Sequence, residues 1–109
     1  MYRVFKSPKF DKKVEKLLSS KELNELDKLI KKLKSGQIIG KPLNYEFFRE
    51  YKIGVKRIYF LVYEDIAIIL LVNSSNKKYQ QETIDEIKLL LNEFKQYAYE
   101  LYDFINKKN

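Results

Sequence analysis

The chain has 22 basic residues, and only Arg3, Arg49 and Arg57 are arginines. Arginine differs from lysine in being planar, permanently charged and able to donate two parallel hydrogen bonds, which is the chemistry that grips a phosphate. Arg57 lies in Tyr51-Lys-Ile-Gly-Val-Lys-Arg-Ile-Tyr-Phe-Leu-Val-Tyr63, a short basic crossing between two apolar runs, and the turn Gly40-Lys-Pro-Leu43 precedes it. A phosphate-binding arginine fits this place, and so does an ordinary charge on an exposed strand; the sequence leaves both open. Other chemistries are thinner. The chain has no Cys and no His, so it offers no thiolate metal site, no Ser–His pairing and no ready neutral-pH acid or base. It has no Gly-rich phosphate loop. Glu64-Asp65 and Asp85-Glu86 are adjacent pairs that read as surface charge.

The elements that must position these residues follow from periodicity. Tyr2-Arg-Val-Phe-Lys6 reads as a short strand. Ser7-Pro8 predicts a helix start, with Ser7 as N-cap and Pro8 at the first helical position. Phe10, Val14, Leu17 and Leu18 share one helical stripe. Ser19-Ser-Lys-Glu22 is a capping box that opens a second helix, with Leu23, Leu26, Leu29, Ile30 and Leu33 as its apolar face and Ser35-Gly36 as its stop. So short a link predicts an antiparallel helical hairpin. After a loop over 37–46, strands are expected at 48–53, 57–63 and 66–73, with turns at Gly54 and Glu64-Asp65. The last strand is apolar enough to be covered on both faces.

A final helix is expected over about 80–107. Ile84, Ile87, Leu91, Phe94, Ala98, Leu101 and Ile105 repeat at 3-4 spacing, a heptad seam. About 28 residues span roughly 42 Å, whereas a seven-residue strand spans roughly 23 Å. The seam thus overshoots the sheet, and its far half, 96–109, is expected as a helical extension packed on a second copy or another partner, the alternative being a fold back onto its own domain.

At 109 residues, with 45% hydrophobic and 34% charged side chains, the chain reads as one folded domain. Without Cys it suits the cytoplasm. The early charges at Arg3 and Lys6 are unlike a signal sequence, and the longest apolar run, 66–72, is far short of the ~20 residues that span a bilayer, so no membrane is expected. The net charge of +7 is uneven: residues 1–59 hold 16 basic against 7 acidic side chains, a surplus of nine. Such a half predicts a polyanionic partner, most simply nucleic acid.

The order strand–helix–helix–strand–strand–strand–helix, with Gly40-Lys-Pro-Leu43, Lys52-Ile-Gly54-Val-Lys-Arg57, the strand into Tyr63 and a later Tyr79, resembles the RelE/ParE superfamily of toxins from type II toxin–antitoxin pairs over about residues 1–90. The resemblance implies an α+β fold: an N-terminal helical hairpin packed on a small, mainly antiparallel β-sheet, with a long C-terminal helix. It also implies a ribosome-dependent, metal-free mRNA endoribonuclease that inhibits translation, with no cofactor, a cognate antitoxin as partner and mRNA on the ribosome as substrate. A homodimer through the C-terminal helix is the further partner expected. By this resemblance Arg57 holds the phosphate, Lys52 acts as base or charge clamp, and Tyr79 stacks on a base or donates a proton. Arg49, Lys56, Lys77 and Lys78 are the expected RNA-binding side chains. The alternatives are a non-catalytic member that binds nucleic acid or, in the ParE manner, gyrase, and a degenerate relative acting in assembly.

One departure matters. Where many active relatives carry a second arginine after the last strand, this chain reads Asn73-Ser-Ser-Asn76. Losing one transition-state donor typically costs about 10² to 10³ in rate, so weak or absent cleavage is expected unless Lys77 or Lys78 substitutes.

Overall fold

The computed structural model describes residues 1–107. Five strands form one sheet in the order β1-β5-β4-β3-β2, and helices cover both of its faces. Strand β1 (Arg3–Lys6) pairs in parallel with β5 (Ile68–Asn76); β2 (Lys41–Pro42), β3 (Phe48–Ile53), β4 (Lys56–Tyr63) and β5 pair antiparallel in turn.

The first face is covered by helices α1 (Phe10–Leu17) and α2 (Ser20–Lys34). Phe10 and Val14 stand one turn apart on α1, and Leu26, Leu29 and Leu33 follow the 3-4 spacing on α2; all are buried against Ile58, Phe60, Ile69 and Leu71. The capping box is formed: the Glu22 amide donates to Ser19 Oγ at 3.2 Å, and the Ser19 amide donates to Glu22 Oε1 at 2.9 Å. Ser7 behaves differently from its sequence expectation. Helix α1 begins only at Phe10, with Lys9 at the cap and no side-chain cap bond. Ser7 is instead the last tie of β1 to β5: its amide donates to the Leu71 carbonyl at 2.8 Å and its hydroxyl to the Val72 carbonyl at 3.2 Å. Sheet pairing takes the hydroxyl that a cap would use.

The second face carries α3 (Gln80–Leu89) and α4 (Leu91–Lys107). The expected single helix breaks at Leu90, whose φ of −105° and ψ of 10° leave the helical ladder. The break re-aims the chain so that the seam stays on the sheet. Ile84, Ile87 and Ala98 are buried against Tyr59, Leu61, Ile68 and Leu70, with Leu91, Phe94, Tyr97 and Tyr99 packed around them. The Tyr99 hydroxyl donates to Asp65, and its ring meets Tyr63 edge-on at 6.3 Å. The helix therefore folds back over its own sheet as far as Tyr99, and Tyr102 and Phe104 stay exposed on its outer side. Residues 108 and 109 of the expected extension lie outside the described residues.

From Ile58 to Tyr63 strand β4 is apolar because both of its faces are interior there. Ile58, Phe60 and Val62 face the α1–α2 core, and Tyr59, Leu61 and Tyr63 the α3–α4 core. Its register with β5 shifts at Tyr59/Phe60, the mark of a β-bulge. Strand β5 runs on to Asn76, beyond the expected end at 73, and so carries Ser74 and Ser75 into the sheet. No helix among the described residues is long and apolar enough to cross a membrane.

Candidate nucleic-acid interface

Sheet register brings the two central residues together. Lys52 on β3 is the cross-strand partner of Arg57 on β4, and Arg57 is the partner of Ser75 on β5. Residues opposed in this way share a face, so Lys52, Arg57 and Ser75 form one rung at the end of the sheet where the β3–β4 hairpin turns. The next rung inward on the same face is Glu50, Tyr59 and Asn73. Beyond Ser75 a short turn, Lys77–Tyr79, leads into α3, and the Asn76 side chain caps it by accepting from the Tyr79 amide. Tyr79 is half exposed, with Lys78 Nζ 5.5 Å from its ring centre. Lys77 and Lys78 are exposed in the same turn.

The rung is not uniformly open. Lys52 reaches solvent, whereas Arg57 is only 6% and Glu50 3% exposed. Arg57 Nε lies 3.8 Å from Glu50 Oε1, and Nη1 donates to the Lys56 carbonyl at 3.2 Å. Gln80, at the start of α3, donates to the other Glu50 oxygen at 2.6 Å. Tyr59 OH and Ser75 Oγ are 3.0 Å apart. Burial is the main cause that pushes the Tyr59 phenol up to about 12, against the lowering effect of its bond with Ser75. It stays protonated at neutral pH, a neutral hydrogen-bonding group and not a base. Ser75 thus holds the Tyr59 hydroxyl in place.

A groove of about 460 Å³ opens beside this end, between α1 and α3, with Lys13 and Lys16 on one wall, Glu82 and Glu86 on the other, and Ser74, Ser75 and Tyr79 between them. The two lysines are three apart on α1 and so neighbour each other. They extend the cation set beyond the residues that motif reading selects. A larger hollow, about 740 Å³, sits among Tyr45, Phe47, Tyr63, Lys95 and Tyr99 near the β4–β5 turn. Neither Lys52 nor Arg57 lines either of the two; the smaller reaches their rung through Ser75.

Two of the expected RNA-binding side chains are committed elsewhere. Arg49 is an odd number of residues from Lys52 and so takes the other face of β3. Its guanidinium donates to the Gly40 and Glu46 carbonyls at 3.1 and 3.2 Å and pairs with the Glu46 carboxylate at 3.2 Å, stapling the loop before β3. Lys56 also takes that face: its Nζ donates to the Leu17 carbonyl at 2.7 Å and pairs with Glu22 at 3.1 Å, tying β4 to the α1–α2 hairpin. Sequence reading missed Glu50 and Gln80. Strand alternation from Lys52 puts Glu50 on the same face, which was a usable signal; nothing local connects it to Gln80. No group of three or more His, Cys, Asp or Glu among the described residues is placed to hold a metal ion.

No protein-family model matches this sequence, and no curated protein matches it. Solved structures do. The isolated RelE toxin of E. coli is 18% identical with a TM-score of 0.58, the match covering 80% of this chain and 99% of that one. A chain of the RelB–RelE antitoxin–toxin complex from Methanococcus jannaschii gives 14% identity and 0.59, covering 72% and 96%. A chain of the RelBE2 toxin–antitoxin complex from Mycobacterium tuberculosis gives 15% and 0.56, covering 69% and 96%. The chain has the RelE-like toxin fold.

Proposed function

We propose that this chain is the toxin of a type II toxin–antitoxin pair that acts in the cytoplasm on mRNA at the ribosome, with the rung Lys52–Arg57–Ser75 as its phosphate site. The observation that carries the reading is that register: it sets the permanently charged Arg57 beside the exposed Lys52, one short turn from the half-exposed Tyr79. Fold alone does not give function; the cation pair at the family's expected place supports it. The solved neighbours that are toxin–antitoxin complexes support a cognate antitoxin as partner.

In the reaction proposed, a ribose 2′-oxygen attacks the adjacent phosphorus and the bond to the 5′-oxygen breaks, leaving a 2′,3′-cyclic phosphate and a 5′-hydroxyl. Arg57 and Lys52 meet the negative charge that builds on the phosphorane oxygens, and Tyr79 offers a stacking face to a base. The proton of the 2′-hydroxyl leaves to a base and the departing 5′-oxygen takes one up; Lys52 or solvent serves the first transfer, and Tyr79 or solvent the second.

A second reading is supported by the burial of Arg57 against Glu50 and by Ser74 and Ser75 in place of the second arginine: RNA binding without efficient cleavage. Expression without a partner tests the toxin role. Growth and protein synthesis should halt, Arg57→Ala should relieve the arrest, and co-expression of a cognate antitoxin should do the same. Arrest that is equal with Arg57→Ala removes the rung from the mechanism.

A further inference from the structure

The buried pair of Glu50 and Arg57 is incomplete in a specific way. A guanidinium makes its best carboxylate contact through two parallel bonds near 2.7–2.9 Å. Arg57 Nε is 3.8 Å from Glu50 Oε1 and is buried with no hydrogen-bond partner among the described residues. The second carboxylate oxygen is already held by Gln80 at 2.6 Å. Glu50 therefore balances the charge of Arg57 without satisfying its hydrogen bonds.

We propose that Glu50 is an internal stand-in for phosphate: it neutralises Arg57 in the free protein and yields it when an RNA phosphate arrives. The inference rests on the RNA reading above and deepens it by naming what the substrate must displace. A phosphate offers Nε the acceptor that Glu50 leaves out, and Lys52 on the same rung shares the incoming charge. Gln80 gives the displaced carboxylate a partner to keep, so Glu50 need not be stranded when Arg57 turns away. Glu50 then sits beside the bound phosphate as a like charge and holds affinity down.

The test is binding of a mixed-sequence single-stranded RNA oligonucleotide to the full chain, followed by fluorescence anisotropy. Glu50→Gln keeps the shape and removes the charge. It should bind roughly tenfold more tightly, the scale of one close charge pair at an interface, and the gain should vanish in the double variant with Arg57→Ala. The same variant should melt at a lower temperature, because a buried guanidinium has lost its counter-charge. Tighter binding by a less stable protein is not what general damage produces. If Arg57→Ala weakens binding while folded Glu50→Gln does not tighten it, this inference fails and the phosphate site stands. If wild type and Arg57→Ala bind alike, both fail. Should Glu50→Gln not fold, the Nε–H resonance of Arg57 in the ¹⁵N-labelled wild type decides. It should move on saturation with the oligonucleotide, and an unmoved resonance overturns the exchange.

Discussion

Lys52 and Arg57 are direct cross-strand partners, yet Lys52 is exposed and Arg57 is 6% exposed. The difference comes from what flanks them. Arg57 lies on β4 between two other strands, with Glu50 diagonally across from it, while Lys52, next to last on β3, is paired on one side only and lies beside the hairpin turn. The exposed member should meet RNA first and by charge alone. Lys52→Met should lower RNA affinity at low salt and reduce the slope of log affinity against log salt by about 0.7, one phosphate's worth on a single strand. Titrations at several salt concentrations measure this; an unchanged slope puts Lys52 away from the phosphates.

Glu22 serves two structures at once, accepting from the Ser19 amide in the capping box and from Lys56 of β4. The backbone bond from Ser19 is the first cause that holds its carboxyl below the ordinary value of 4.5, with Lys56 lowering it further. A carboxyl depressed in the folded state stabilises above its unfolded pKa, and that stability is lost as pH falls through the folded value. The melting temperature should therefore fall as pH drops below 4.5, and Glu22→Gln should flatten that fall. Ser19→Ala should cost about 1 kcal/mol at neutral pH. A wild-type acid limb identical to that of Glu22→Gln contradicts the assignment.

Gly40 is irreplaceable for two reasons that Gly36 does not share. Both have positive φ, +106° and +97°, but a Cβ at Gly40 meets the Glu50 carbonyl at 3.0 Å and the Phe60 ring at 3.3 Å, while one at Gly36 meets nothing within 4 Å. Gly40→Ala should destabilise by roughly 1–3 kcal/mol and loosen the loop that Arg49 staples. Gly36→Ala should cost about 1 kcal/mol. Denaturant midpoints compare them directly, and equal costs contradict the close approach.

Much of the scaffold was legible because its signals are local. The capping box at Ser19–Glu22, the glycine stop at Gly36, the hairpin at Gly54 and the apolar strand through Phe60 each announce themselves within a few residues. Ser7 misled because its partner, Val72, is 65 residues away. The break at Leu90 was invisible because 3-4 spacing continues across it with no Gly or Pro; the sheet beneath decides where the seam must turn. In the site, alternation separates Arg49 from Lys52 and joins Glu50 to it. The pairing of Glu50 with Arg57 and Gln80 depends on register and on where α3 begins, which no short window contains.

The central claim is cleavage of RNA at the Arg57 rung, and mapping RNA ends in a cell-free translation reaction tests it most directly. Wild-type protein should produce discrete cuts in translated mRNA, with cyclic phosphate on one side and a free 5′-hydroxyl on the other. Arg57→Ala should lose roughly 10² or more of the rate. Intact mRNA in a reaction whose protein synthesis the wild type halts would contradict it, as would synthesis that runs on with no cuts at all.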